Sequence, residues 1–98
     1  MVVVNIKINP LIDKQKEVMQ TLLSMVEAME AAKGCLSYKV FCDVEDKTAY
    51  NLIEEWETRE DLDRHMGSDM FGVLLGTKSL LCEAPKIQIH TVSRSEVV

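Results

Sequence analysis

The sequence predicts an α+β fold of the ferredoxin-like type, βαββαβ, with a four-stranded antiparallel sheet and its helices on one face. Three observations support this prediction. Four segments alternate apolar and polar side chains, which is typical of half-buried strands. Two other segments repeat apolar residues three and four positions apart, which is typical of amphipathic helices. Glycine residues and polar turns separate the segments in the order strand, helix, strand, strand, helix, strand.

Length and charge limit the class of protein. The 98 residues are predicted to form one domain at residues 1–93 and a short tail at residues 94–98. Eleven basic and sixteen acidic residues give a formal net charge of −5, so we expect no nucleic-acid partner. No apolar run approaches the ~20 residues of a membrane span, and no basic leader precedes the first strand, so we expect a cytoplasmic protein without a membrane partner.

The three cysteines, Cys35, Cys42 and Cys82, are odd in number and lack the CxxC spacing of a zinc site. We therefore expect reduced thiols that pack in the core, without a disulfide framework or a metal. The chain also lacks the GxGxxG and GxxxxGK patterns of phosphate-binding loops. The sequence thus predicts neither a cofactor nor a metal ion.

The first strand is predicted at residues 2–8, where apolar and polar side chains alternate. From about Asp13 the period changes to that of a helix of about five turns. Gly34 is placed to be the left-handed C-terminal stop of this helix. The apolar stripe of the helix contains Val18, Met19, Leu22, Met25, Val26 and Met29.

Two strand-like runs at residues 36–42 and 48–56 are predicted to form a hairpin around a polar turn. Pairing Val40 with Leu52 makes one face nearly all apolar or aromatic. This register also sets three further pairs: Leu36 with Trp56, Tyr38 with Glu54, and Cys42 with Tyr50. On the other face Phe41 and Ile53 would be half exposed in a monomer, so we expect a second subunit to cover them.

The second helix is predicted to begin at Thr58, with a capping box in which the hydroxyl accepts from the backbone N–H of Asp61 while Asp61 reaches back. Gly67 ends this helix, and Ser68 caps a further helical piece. Apolar contacts from this region are expected at Met70, Phe71, Val73, Leu74, Leu75, Leu80 and Leu81.

The last strand is predicted at residues 86–92, directly after Pro85. Its alternation directs Ile87 and Ile89 toward the core. His90 and Asn5 have the opposite parity, so we expect them to meet solvent or a second subunit.

The candidate functional residues cluster where the third strand meets the second helix. The strand period sends Glu54 and Trp56 to one face, and the helix returns His65 toward them. Burial would make Glu54 a usable base near neutral pH, or Glu54 simply hydrogen-bonds Tyr38 or a backbone amide. Trp56 is either a flat wall on which a planar ligand stacks, or ordinary core. His65 either relays a proton or only caps a helix or pairs with a carboxylate.

The Glu-x-Trp pattern, a His nine residues after the Trp, and the following Ser-Asp-Met-Phe turn resemble the antibiotic biosynthesis monooxygenase family over nearly the whole chain. The resemblance implies a homodimeric α/β barrel with a small pocket between sheet and helices in each subunit. It also implies a cofactor-independent monooxygenase acting on a small electron-rich aromatic, quinol- or phenol-like substrate. Glu54 and His65 would be catalytic. The substrate-binding residues would be Tyr38, Leu52, Trp56, Leu62 and Phe71.

Two positions depart from the pattern of the quinone-forming branch of this family. That branch has an Asn four positions before the strand Trp and a Tyr six positions after it, where this chain has Leu52 and Leu62. Asn51 lies one residue away from the first of these positions, on the opposite strand face. In the haem-degrading branch the ligating His would fall at Leu75, so we expect no haem. The alternative function is a non-oxidative isomerase or a small-molecule-binding protein that uses the same pocket.

Overall fold

The computed structural model describes all 98 residues and has the predicted ferredoxin-like α+β architecture. The strands are β1 (Val2–Ile8), β2 (Cys35–Cys42), β3 (Tyr50–Trp56) and β4 (Lys86–Thr91). The helices are α1 (Gln15–Ser24), α2 (Val26–Glu30), α3 (Arg59–Met66) and α4 (Asp69–Gly76), with short 3-10 helices at Ile12–Lys14 and Thr77–Leu80. The antiparallel strands lie in the order β2-β3-β1-β4.

The core lies between the helices and one face of the sheet. Strands β1 and β3 alternate buried and partly buried residues along their whole length, as the two-residue period predicts. Their buried side chains form one cluster with the apolar stripe of the first helical region, at Val18, Leu22, Met25 and Met29. The opposite sheet face is left uncovered in the single chain, and it exposes 47% of Phe41.

The first helix differs from the prediction because it is interrupted at Met25. The hydroxyl of Ser24 donates to the carbonyl oxygen of Thr21 at 2.6 Å, which is the acceptor that the backbone N–H of Met25 would use in an α-helix. That N–H instead donates to the carbonyl of Leu22 at 3.3 Å. The region is therefore two helices, α1 and α2, preceded by a 3-10 turn at Ile12–Lys14.

The hairpin register agrees with the prediction except at the start of β2. Val40 pairs with Leu52, and the pairs Tyr38 with Glu54 and Cys42 with Tyr50 are also confirmed. The pairing of Leu36 with Trp56 is wrong, because a β-bulge between Cys35 and Ser37 places Cys35 opposite the tryptophan. Leu36 is the extra residue of the bulge and is 55% exposed.

Gly34 connects the first helical region to the sheet. It has the predicted left-handed conformation, with φ of +80°, but α2 ends four residues earlier at Glu30. Gly34 therefore lies in the turn directly before β2 and does not stop the helix. Its carbonyl accepts a 2.8 Å hydrogen bond from the backbone N–H of Glu57. A Cβ atom at this position would lie 2.2 Å from Cγ and 2.5 Å from Cβ of Asp61.

Helix α3 begins at the predicted cap. The backbone N–H of Asp61 donates to the hydroxyl of Thr58 at 3.1 Å. The return contact differs from a capping box, because the Asp61 carboxylate accepts from the hydroxyl of Thr58 at 2.9 Å and not from its backbone N–H. Gly67 and Ser68 end α3 and cap α4, as predicted.

Three apolar residues predicted to contact the core are exposed instead. Val73 and Leu75 flank the one fully buried residue of α4, Leu74, and the helix is too short to cover a wider stripe. Ile87 lies on the core face opposite Ile6, as predicted, but β4 is an edge strand and leaves Ile87 partly uncovered.

The prediction of core cysteines is also wrong. All three thiols are free, but Cys35 is only partly buried and the other two are exposed. Cys42 ends the edge strand β2, and Cys82 lies in the turn before β4. Residues 92–98 have no helix or strand, and the domain boundary at residue 93 stays a prediction. None of the helices has the length and apolar character needed to cross a membrane, and the cytoplasmic location stays a prediction.

Replacing Gly34 with Ala is expected to lower the free energy of unfolding by about 2–4 kcal/mol, because it adds left-handed strain and a steric clash. Rotating the Asp61 carboxylate cannot relieve the clash, since the Cβ of Asp61 is itself too close. The matched control is Gly72→Ala in α4, where a Cβ would meet no atom within 4 Å. This control should raise stability by about 0.5–1 kcal/mol in the same urea titration. Equal stability of both variants would contradict this account of Gly34.

Candidate functional site

A pocket of about 250 Å³ lies where the C-terminal end of β3 meets three helices. Residues at the end of α2 and just after it form one side, and α3 with the start of α4 forms the other. The lining residues are Met29, Ala32, Lys33, Trp56, Asp61, Arg64, His65, Ser68 and Met70. Apolar side chains and one aromatic pair therefore surround a small space whose mouth carries charged groups.

Trp56 forms the floor of the pocket and is held by a buried carboxyl group. It is the last residue of β3, and its indole Nε1 donates to Oε1 of Glu54 at 3.0 Å. The two side chains share a strand face because they are two residues apart. Glu54 is only 2% exposed, and Trp56 has no exposed surface. The hydrogen bond satisfies the indole N–H where no water reaches it.

His65 covers the indole from α3. The two rings are stacked with centroids 4.9 Å apart and planes inclined by 25°. The ring of Phe71 meets His65 edge-on at 5.7 Å, and the Ser68 hydroxyl donates to the His65 carbonyl at 2.6 Å. Ser68 thereby orients the end of α3 and also caps α4. His65 is 6% exposed, so its ring is fixed by neighbours and meets the pocket.

Burial sets the protonation states around this stack. The pKa of Glu54 is raised above its ordinary value of 4.5 because burial disfavours the carboxylate, and the hydrogen bond from Trp56 opposes this only in part. Burial lowers the pKa of His65 below 6.5. Burial, and next the charge of Glu54, raise the pKa of Tyr38. The Tyr38 hydroxyl is the one buried side-chain polar atom without a hydrogen-bond partner.

The mouth of the pocket is ionic. Arg64 donates from Nη1 to the Asp61 carboxylate at 2.8 Å. That hydrogen bond first, and the one from Thr58 second, hold the pKa of Asp61 below its ordinary value. Lys33 lies in the segment between α2 and β2, lines the pocket, and makes no ion pair within the chain.

The structure brings together only part of the predicted residue set. Trp56 and His65 line the pocket, whereas Glu54 does not line it and is hydrogen-bonded to the indole Nε1 of Trp56. Phe71 meets the His65 ring edge-on and is not a lining residue. The remaining predicted binding residues are buried in the core and do not line the pocket: Tyr38, Leu52 and Leu62. The predicted roles of all these residues stay predictions.

The polar mouth of the pocket is not among the sequence predictions. Arg64 lies three positions after Asp61, and His65 lies four positions after it. This spacing puts the three residues on one side of α3, so the sequence around His65 does indicate the charged pair. Lys33 carries no comparable local signal, because the fold alone brings it to α3. No group of three or more His, Cys, Asp or Glu side chains is placed to hold a metal ion.

These features define a ferredoxin-like domain with a small pocket, floored by a tryptophan, between the end of its sheet and its helices. The sequence model of the family described as antibiotic biosynthesis monooxygenase matches residues 1–74, and the chain belongs to this family. No curated protein matches the chain.

Solved structures share the whole fold. A Deinococcus radiodurans protein named as a candidate antibiotic biosynthesis monooxygenase superposes with a TM-score of 0.91 at 18% identity, covering 100% of this chain and 98% of the other. Rv0793 from Mycobacterium tuberculosis superposes with a TM-score of 0.90 at 22% identity, covering 98% of each chain. A conserved protein from Methanosarcina mazei Go1 superposes with a TM-score of 0.85 at 27% identity, covering 91% of this chain and 89% of the other.

Glu54→Gln is expected to change how stability depends on pH. Because its pKa is raised, Glu54 binds a proton more tightly in the folded chain than in the unfolded chain, and this difference stabilises the fold. The contribution is complete below the unfolded pKa of 4.5 and is lost as pH rises through the folded pKa. Gln keeps the acceptor oxygen for Trp56 but does not titrate. The wild-type chain should therefore lose stability relative to the variant as pH rises above 4.5.

Urea unfolding at a series of pH values measures this difference. The control is Glu55→Gln, which removes the same charge from the opposite, partly exposed face of β3 and should not reproduce the effect. A pH-independent difference between wild type and Glu54→Gln would contradict the raised pKa of Glu54.

Proposed function

We propose that the chain is a cofactor-independent monooxygenase that oxidises a small electron-rich aromatic, a quinol or phenol, in this pocket. The observation that supports it most is the state of His65. Its ring meets the pocket, makes no hydrogen bond within the chain, and is kept neutral near pH 7 by burial. A neutral, fixed imidazole is suited to removing a phenolic proton.

The reaction needs no external electron donor because the substrate supplies the electrons. His65 accepts the proton of a quinol hydroxyl, and the resulting electron-rich anion donates electrons to dioxygen. One oxygen atom then forms a bond to a ring carbon, and the other leaves as water. In sum, a quinol and dioxygen yield a hydroxyquinone and water, with four electrons moving from the ring to oxygen. The proton on His65 leaves with the water.

Glu54 has a positioning role in this proposal. Glu54 and His65 are the two candidate bases, and the geometry favours His65, because the Glu54 carboxyl does not line the pocket and is bonded to the indole. By holding Trp56, Glu54 keeps in place the surface on which the His65 ring stacks. This interaction orients the imidazole without itself touching a substrate.

The pocket suits a small ligand. Its volume of about 250 Å³ is below the ~300–1,000 Å³ typical of sites for drug-sized molecules. The apolar side chains of Met29, Ala32 and Met70 offer contact to a ring, and His65 offers a ring nitrogen. Molecules of one or two fused rings fit this description.

A second candidate function is a non-oxidative isomerase or binding protein that uses the same pocket. The observation that favours it is the apolar character of two family positions. Leu52 and Leu62 are fully buried in the core, so neither supplies the amide or hydroxyl found in the quinone-forming branch. Under this alternative, a ligand would bind without any consumption of dioxygen.

Oxygen consumption distinguishes the two functions. With a panel of quinols in metal-free and flavin-free buffer, the wild-type chain should consume dioxygen and release the hydroxyquinone. His65→Phe keeps an aromatic ring on Trp56 but removes both ring nitrogens, and it should lower the rate by at least about a hundredfold. The control is His90→Phe, which replaces the other histidine, on the opposite sheet face.

Two results would contradict the proposal. The first is a wild-type rate no higher than that of His65→Phe with every quinol of the panel. The second is an equal loss of rate in His90→Phe and His65→Phe. Recovery of unchanged ligand after saturable anaerobic binding would then support the binding function.

We also propose that the chain forms a homodimer through the outward face of its sheet, as the resemblance to the family implies. Phe41 and Ile53 lie on this face, and 47% of Phe41 is exposed in the single chain. A recess of about 410 Å³ lies on the same face, lined by Asn5, Lys7, Asn51, Ile53, Lys86 and Gln88. An exposed aromatic and a concave polar surface on one sheet face support a face-to-face contact between two copies.

Light scattering tests the homodimer. Wild type should have twice the mass of the 11.1 kDa chain at micromolar concentration. Phe41→Glu should shift the mass toward that of the monomer, because a carboxylate in the contact would be desolvated without a partner. Leu23→Glu, an equally apolar exposed site on the helix side, should leave the dimer intact. A monomeric wild type, or the same effect from both variants, would contradict the proposal.

A further inference from the structure

The mouth of the pocket carries a positive charge on an acidic protein. The chain has a formal charge of −5. The pocket nevertheless places two cations, Lys33 and Arg64, beside a single acid, Asp61. Glu54 does not line the pocket, and its carboxyl is hydrogen-bonded to the Trp56 indole. The charged residues that line the pocket therefore carry a net charge opposite in sign to the charge of the whole molecule.

The two cations are available to a ligand. Asp61 already accepts hydrogen bonds from Arg64 and Thr58, so its charge is largely matched within the fold. The guanidinium of Arg64 has five N–H donors, and only one of them is bonded to Asp61. Lys33 makes no ion pair within the chain. One full positive charge and several N–H donors thus remain at the mouth.

We propose that the substrate of this pocket is an aromatic carboxylate, held by Lys33 and Arg64 at the mouth while its ring lies against His65. This adds a ligand class to the proposed function, and it rests on that function for the position of the ring beside His65. The cations are at the mouth and the imidazole is on the inner wall, so the ligand carries its carboxylate at one end and its reactive hydroxyl at the other. Arg64 matches the planar geometry of a carboxylate, and Lys33 adds a point charge.

The two cations, Lys33 and Arg64, affect which ligands bind more than how a bound ligand reacts. Lys33 and the Arg64 head group are both partly open to water, so each contributes modestly to affinity. Neutral quinols of the same shape should still reach His65, but with lower affinity. Because the field is local and partly screened, raising the salt concentration should weaken the binding of the carboxylate and leave that of a neutral quinol unchanged.

Fluorescence of Trp56, the single tryptophan of the chain, reports binding at the floor of the pocket. The probes are 2,5-dihydroxybenzoate and its neutral primary amide, titrated without dioxygen so that no turnover interferes. The carboxylate should bind about fivefold to tenfold more tightly than the amide. Lys33→Met keeps the aliphatic stem and removes the charge. This variant should weaken binding of the carboxylate by about fivefold and leave binding of the amide unchanged.

Two controls separate a specific contact from the general effect of charge. Lys33→Arg should restore most of the preference for the carboxylate. Lys16→Met removes an exposed lysine from α1 that does not line the pocket, and it should leave both affinities unchanged. Equal affinity of wild type for the carboxylate and the amide would overturn the proposal. So would an equal effect of Lys33→Met and Lys16→Met, or the absence of saturable quenching of Trp56 fluorescence by the carboxylate.

The ligand class and the monooxygenase activity are tested independently. If the carboxylate binds through Lys33 but no quinol consumes dioxygen, the monooxygenase proposal is wrong and the ligand class stands. If neutral quinols consume dioxygen and the carboxylate has no advantage, the ligand class is wrong and the monooxygenase proposal stands.

Discussion

One buried hydrogen bond, from the indole N–H of Trp56 to the Glu54 carboxyl, holds the end of the sheet and the pocket together. Leaving either group buried without a partner would cost about 1–3 kcal/mol, so the pair constrains the orientation of the indole. His65 stacks on that indole, and Phe71 and Ser68 hold His65 from α4. The arrangement of the pocket therefore follows from a contact that also belongs to the core, and a change at Glu54 affects both.

The periodic features of the chain were enough to predict the fold. Alternation along β3 requires Leu52, Glu54 and Trp56 to share the buried face, and the structure has that pattern. The Thr58 hydroxyl marks the start of α3 because it can satisfy an otherwise unpaired backbone N–H. Since α3 starts there, His65 in its last turn comes back to Trp56. These inferences depend on local geometry, which the order of residue types specifies directly.

Other features depend on contacts between distant segments, which local patterns do not specify. The bulge at Leu36 accompanies the turn at Gly34, whose backbone approaches Asp61 of α3 too closely for any side chain. The same approach brings Lys33 to Arg64 and creates the charged mouth of the pocket. Glu54 lies on the predicted face of β3, yet its carboxyl bonds the Trp56 indole and does not line the pocket. Strand period gives the face of a residue but not which neighbour covers it.

The proposed function requires that the space beside His65 binds an aromatic ring and presents the hydroxyl of that ring to the imidazole. The most direct measurement is a crystal structure of the chain with 2,5-dihydroxybenzoate, grown without dioxygen. We predict the ring in contact with His65, with a hydroxyl oxygen within hydrogen-bond distance of a ring nitrogen. A ligand bound only in the recess on the outward sheet face, with the pocket beside Trp56 closed by side chains, would contradict the claim.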